Sequence, residues 1–202
     1  MLRKQIRPAV SVTLVLMVIT GLIYPAAVSG IAQLIFPRQA NGSLVIANGR
    51  VIGSSLIGQS FAGSEYFHPR RSAAGAGYDD TLSGGTNKGP ADRKLADTMV
   101  AAMVDSVIAT DGGVRGQIPA DMATASASGL DPHISPANAA LQIERVASAR
   151  GVSPGTVRQL VTRYTEGRQL GFLGDPRVNV LLLNLALDST FGREGAARGT
   201  AP

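Results

Sequence analysis

The chain has no cysteine and no tryptophan, and only two histidines, His68 and His133. Without thiols there are no disulfides, no thiol catalysis, no zinc ribbon and no iron–sulfur ligation. Aromatic residues make up 4% of the sequence, too few rings for a base-stacking surface that binds single strands. Charged residues are also scarce at 16%, but apolar residues reach 45%, which excludes a disordered chain. The histidines lie far apart and outside any His-Glu-x-x-His pattern, and no Gly-x-Ser-x-Gly elbow occurs. A catalytic role for this chain therefore has few residues to rest on.

Its 202 residues suffice for one ordinary domain and an additional element. The net charge is +5, with nineteen Lys and Arg against fourteen Asp and Glu. Three of those cations, Arg3, Lys4 and Arg7, cluster at the start of the chain, ahead of any acidic residue. Without them the charge is nearly balanced, so the bulk of the chain is no basic clamp for nucleic acid.

Between Arg7 and Arg38, thirty residues pass with no Asp, Glu, Lys, Arg or His. A membrane helix needs about 20 apolar residues to cross roughly 30 Å of hydrocarbon, and this run provides them. A cleaved leader is the competing reading, since small residues around Ala27-Val28-Ser29 follow a basic start. Apolar residues resume, however, at Ile31, Leu34, Ile35 and Phe36, past the point where a leader's core would stop. The basic tip predicts an N-terminus in the cytoplasm and a body outside the cytoplasmic membrane. Gly21 and Pro25 predict a kink near the outer end of the helix. Ala26, Ala27, Ser29 and Gly30 either let a second helix approach or simply end the span.

The remainder predicts an α+β fold. A single N-terminal transmembrane helix precedes one extracytoplasmic α+β domain with a β-hairpin and several helices. The divisions are residues 1–8 as a cytoplasmic tip, 9–36 as the span, 37–191 as the outer domain and 192–202 as a disordered tail. Residues Ser43 to Gly53 read as a hairpin turning at Asn48-Gly49, with Ser54 to Phe61 extending its second strand. After a glycine-rich stretch, a helix is expected from Pro90 to about Ala109, with Leu95, Met99, Met103 and Val107 in one row. Ile118 to Ala125 is expected as a short strand. The next helix starts with Ser135 as N-cap and Pro136 in its first turn and stops at Gly151. A third runs from Ser153 and Pro154 to near Gly167. A last helix, capped by Asp175, covers Val178 to Asp188.

Two segments suggest ligands. Ser83-Gly84-Gly85-Thr86-Asn87-Lys88 is glycine-rich and leads toward a helix start, a setting in which backbone amides attract anions. It lacks the Walker A spacing, and its competing reading is a loop shaped for close packing. The stretch from Ala139 to Tyr164 has helix–turn–helix spacing, with Arg158 and Arg163 on the second helix. That supports a membrane-anchored DNA-binding regulator as the alternative function, and an αα-hairpin in a core as the plainer one. A membrane-tethered solute-binding module is a third reading.

Several stretches together resemble one family. They are Gly53-Ser54-Ser55-Leu56-Ile57-Gly58-Gln59-Ser60-Phe61; Tyr66-Phe67-His68-Pro69-Arg70; Ser83 through Pro90; Pro119-Ala120-Asp121-Met122-Ala123-Thr124-Ala125-Ser126 through Pro136, most specific in Ser128-Gly129-Leu130-Asp131-Pro132-His133-Ile134-Ser135-Pro136; and Gly171-Phe172-Leu173-Gly174-Asp175-Pro176-Arg177-Val178-Asn179. In these motifs and their order the chain resembles the C subunit of the Kdp-type potassium-transporting ATPase of bacteria. The resemblance implies a non-catalytic, single-pass subunit in the bacterial inner membrane, its domain periplasmic. It implies as partners a channel-like potassium-binding subunit, a P-type ATPase subunit, a very small fourth subunit and membrane lipid, with no nucleic acid. It also implies a chaperone role that raises the ATPase subunit's affinity for ATP. It implies no tightly bound cofactor, with ATP entering through that partner. Ser83 to Lys88 are then the nucleotide-contact candidates, and Asp131, Pro132, His133, Ile134, Ser135 and Pro136 the partner-interface candidates. No metal site is expected. The orientation argues against direct nucleotide contact, because ATP is scarce outside the cytoplasmic membrane.

Overall fold

The computed structural model describes residues 2–47, 49–89 and 91–192. They form an α+β architecture in two units, Met1–Ser54 and Ser55–Pro202.

In the first unit, helix α1 (Leu2–Val18), a π turn (Ile19–Ile23) and helix α2 (Tyr24–Ile35) follow one another without a break. Lys4–Ile35 is apolar and long enough to cross a membrane, and none of it is buried within the chain. Its 32 residues cover about 48 Å at 1.5 Å per residue, more than the roughly 30 Å of a hydrocarbon core. The π turn has a cause in the sequence. Pro25 lacks an N–H, and in a regular helix its ring strikes the carbonyl four residues earlier, that of Gly21. Widening the helix over Ile19–Ile23 moves that carbonyl aside. After α2, the short helix α3 (Pro37–Ala40) is tied back by Asn41 and Gln33, whose side-chain amides exchange hydrogen bonds of 3.2 and 3.3 Å. Strands β1 (Leu44–Ala47) and β2 (Arg50–Ser54) form the expected antiparallel hairpin, with Ile46 opposite Val51. Gly49 turns it at φ 74°, while Asn48 lies outside the described residues.

The second unit is built around two long helices, α6 (Pro136–Arg150) and α7 (Pro154–Arg163), and the C-terminal helix α8 (Val180–Phe191). Ahead of them lie a π segment (Lys94–Val100), helix α4 (Ala101–Asp111) and the single turn α5 (Ala120–Ala123). Three short antiparallel strands, β3 (His133–Ile134), β4 (Thr165–Glu166) and β5 (Arg177–Asn179), pair in the order β3-β5-β4. Ser135 caps α6 by accepting from Asn138 N–H, Pro136 opens the first turn, and Gly151 ends the helix in the left-handed conformation. Ser153 caps α7 in the same way. The core gathers Ile143 and Val146 of α6, Val157 and Leu160 of α7, and Leu183 and Leu187 of α8 around Phe67 and Ile134. Each fully buried Leu or Phe contributes about 1.5–3 kcal/mol.

Phe67 belongs to no regular element. It is held by side-chain amides instead. Asn184 of α8 donates to Phe67 O at 2.9 Å and accepts from Phe67 N–H at 2.8 Å. Gln142 of α6 makes the same pair with His68, at 3.1 and 2.7 Å. These two carboxamides replace a strand ladder, so an irregular segment enters the core with its backbone satisfied. Arg145 adds hydrogen bonds to Ser64 O and Tyr66 O and pairs with Asp111 at 2.6 Å. Arg150 bonds Glu65 O and Asp188 and lies 5.0 Å over the Tyr66 ring.

Four local expectations give way to tertiary structure. β2 ends at Ser54 instead of running on to Phe61, because Gly58 N–H turns to Leu130 O at 2.9 Å. Ile118 to Ala125 contains the turn α5 and no strand, since Pro119 precedes that turn and Asp121 faces the start of α6. The third helix stops at Arg163, and Thr165 and Glu166 join the sheet. Asp175 pairs with Arg168 at 3.0 Å, and it is Asn179 that caps α8, accepting from Leu182 N–H at 3.1 Å. Pro90, the expected start of the helix running to about Ala109, lies outside the described residues, as does the tail after Gly192.

Candidate functional site

The glycine-rich loop meets one spine, the segment from Ser126 to Ile134, which itself runs into the second candidate loop. Ser126 N–H bonds Arg71 O at 2.9 Å, Ser128 O accepts from Gly84 N–H at 2.9 Å, and Leu130 O accepts from Gly58 N–H. Three irregular stretches are thereby fastened to it.

The glycine-rich loop is packed tightly against this spine. Ser83 Oγ donates to Ser128 O at 3.1 Å, and a Cβ on Gly85 would lie 2.7 Å from Ala127 O. Glycine is required here because two backbones touch. Thr86 is half-buried, Asn87 adopts φ 54°, and Lys88 pairs with Asp92 at 3.1 Å. The Ser83 hydroxyl and the Gly84 amide, two donors an anion would need, are thus engaged within the chain.

In the second loop, the six candidates separate into two sets. Pro132 and Ile134 are buried, and Pro132 O accepts from Val180 N–H at 3.0 Å. Ser135 and Pro136 start α6. Ser135 also bonds the Asp121 carboxylate through both its N–H and its hydroxyl, at 2.8 and 2.9 Å. These four residues are built into the fold. Asp131 and His133 reach the surface, joined by Arg70. Arg70 pairs with Asp131 at 2.9 Å and donates to Ala125 O at 3.3 Å. Asp131 also accepts from His133 N–H at 2.9 Å. Burial pushes the Asp131 carboxyl up, but the His133 and Arg70 hydrogen bonds outweigh it and hold the group at about 2. The result is an ionised, internally neutralised cluster suited to fixing a loop's shape.

His68 stands apart from that cluster. Its Nε2 lies 3.0 Å from Gly63 O, and burial, reinforced by the Arg145 charge, lowers its pKa. It lines a hollow of about 100 Å³ beside α4 and α6 and an open basin of about 410 Å³ toward Ser60 and Tyr78. Among the described residues, no group of three or more His, Asp and Glu side chains is placed to hold a metal ion.

Sequence reasoning missed the polar line Asp121–Asn138–Gln142–Arg145 and the amide of Asn184. Its signals were present. Asn138, Gln142 and Arg145 recur at helical spacing beside the apolar row of α6, and Asn184 interrupts the otherwise apolar run Val180 to Leu187. The α6–α7 pair carries its apolar residues inward, leaving Arg158 and Arg163 exposed on α7. That is the αα-hairpin of a core.

A family model described as "KdpC: K+-transporting ATPase, c chain" matches residues 6–189. A potassium-transporting ATPase KdpC subunit of Gemmatimonas aurantiaca is 62% identical over 187 residues, covering 92% of this chain and 93% of that protein. The KdpC subunit of Koribacter versatilis is 53% identical over 190 residues, covering 94% and 96%. That of Myxococcus xanthus is 54% identical over 185 residues, covering 91% and 87%. The matches run through the membrane helix and the α6–α7 pair alike, and nothing in them supports a DNA-binding regulator.

Proposed function

The chain belongs to the KdpC family, the c chain of the K+-transporting ATPase, and from that premise we propose that it is a non-catalytic subunit that assembles and steadies an ATP-driven potassium importer. The observation that carries this reading is the apolar helix Lys4–Ile35, exposed along its length, free of charge after Arg7 and basic at its start through Arg3, Lys4 and Arg7. A helix of this kind belongs in lipid, and its basic end favours the cytoplasm. Residues 1–8 then form the cytoplasmic tip, 9–36 the span and 37–191 a body in the periplasm. The partners are the channel-like potassium-binding subunit and the P-type ATPase subunit, together with a very small fourth chain.

Asp131 and His133, fixed by Arg70, form part of the surface offered to those partners. Rigid loops bind with little ordering entropy to lose. Any effect on ATP affinity then passes through the ATPase subunit, since the Ser83 hydroxyl and the Gly84 amide are already engaged at Ser128 O.

The test joins topology to physiology. Deleting the chain from a strain dependent on this pump abolishes growth at limiting potassium, and externally added protease cleaves the body in intact spheroplasts. Unimpaired growth removes the subunit reading. A body protected in spheroplasts and cleaved only after lysis overturns the orientation.

A further inference from the structure

The most exposed apolar group in the second unit is neither of the loops above but the turn between β4 and β5. Leu170 is 83% exposed, Phe172 68% and Leu173 47%. The turn is closed by two hydrogen bonds of 2.9 Å between Gln169 and Leu173, with a third from Phe172 N–H to Gln169 O at 3.2 Å. Below it, Arg168 pairs with Asp175 at 3.0 Å and Arg177 with Glu166 at 2.9 Å. At its apex Leu170 adopts φ 53° and Gly171 φ 83°. The left-handed region suits Gly171, but a leucine there is strained. A strained, solvent-facing leucine gives the isolated chain nothing that glycine or asparagine would not give at lower cost.

We propose that the Gln169–Leu173 turn is a docking knob whose Leu170 and Phe172 enter an apolar cleft on another subunit of the same potassium-transporting complex. This rests on the subunit reading above. Two features select that occupant. The charges on the stem, two cations and two anions, are paired with each other, so the knob has no net positive charge to draw it to anionic lipid headgroups. Its area is also small. Three such side chains cover on the order of 400 Å², against roughly 800 Å² per partner in a standard stable interface. A freely diffusing second copy is not held by that. A subunit already kept nearby by the membrane helix is, because tethering makes the contact effectively intramolecular. The preformed turn adds little ordering cost on insertion.

The test uses the intact complex in detergent, with a photo-crosslinking phenylalanine analogue in place of Phe172. Illumination is expected to join this chain to one larger subunit of the complex. Adducts to lipid alone, a dimer of this chain, or no product from a complex that purifies intact each overturn the knob. Failure of the unaltered chain to co-purify with the transport subunits sinks the subunit reading instead. In a second arm, Leu170→Gly leaves the unfolding midpoint of the chain unchanged or higher, while its retention in washed complex weakens about tenfold, the loss expected for one buried leucine. A lowered midpoint, or full retention, refutes the proposal.

Discussion

Replacing Asn184 by leucine tests whether side-chain amides hold the irregular part of this fold together. Asn184 is 1% exposed, and both ends of its carboxamide engage Phe67, which is itself 0% exposed. Leucine keeps the branched, four-heavy-atom shape of asparagine and is bulkier, so Asn184→Leu opens no cavity, but it leaves the Phe67 N–H and C=O buried without partners. Each such group costs about 1–3 kcal/mol. The added apolar surface returns about 1 kcal/mol, leaving a net loss of about 1–5 kcal/mol. At roughly 2–4 °C per kcal/mol for a chain of 150–250 residues, the unfolding midpoint falls by about 2 °C or more. Scanning calorimetry of the full chain in detergent micelles reads this directly. Asn184→Asp serves as the contrast. It keeps an acceptor for Phe67 N–H but sets a carboxylate against Phe67 O, so its penalty grows as pH rises and the group ionises. Gln142→Leu removes the matching pair at His68. The double variant loses less than the two singles together, since both act on one segment. An Asn184→Leu chain that melts with the native one refutes the clamp, because burial without partners cannot be free.

Acid is expected to weaken the second unit through Asp131. Its carboxyl is held at about 2, below its ordinary 3.8, so its contribution is complete above the usual carboxylate range and is lost as pH falls from about 4 toward 2. Asp131→Asn flattens that part of a stability-against-pH profile, and an unchanged profile refutes the assignment. Gly85→Ala places a Cβ 2.7 Å from Ala127 O and should cost about 1–3 kcal/mol through overpacking, measured by denaturant unfolding of the full chain.

The elements most legible in the sequence are those whose ends are fixed by local chemistry. Ser135-Pro136 and Gly151 bracket α6 because a hydroxyl cap, a first-turn proline and a left-handed glycine act on their own neighbours. The membrane helix is legible because lipid imposes one composition over its whole length. The elements misread were settled by distant partners. Asp175 and Asn179 are both plausible caps by type, and β5, pairing with β3 and β4, takes up Arg177–Asn179 and leaves Asn179 at the helix start. Ile118 to Ala125 alternates well enough for a strand, but Asp121 is drawn to Ser135 and Asn138. The candidate loops were located by motif, yet the sequence could not show that Ile134 points into the core while Asp131 stays at the surface. That division follows from β3 pairing with β5.

The absence of Asp, Glu, Lys, Arg and His between Arg7 and Arg38 leaves a membrane potential little to act on in this stretch. The work a membrane potential does on a moving segment is about 2.3 kcal/mol per elementary charge per 100 mV. In a bilayer, tilting or sliding of this stretch would move no charged side chain through that potential.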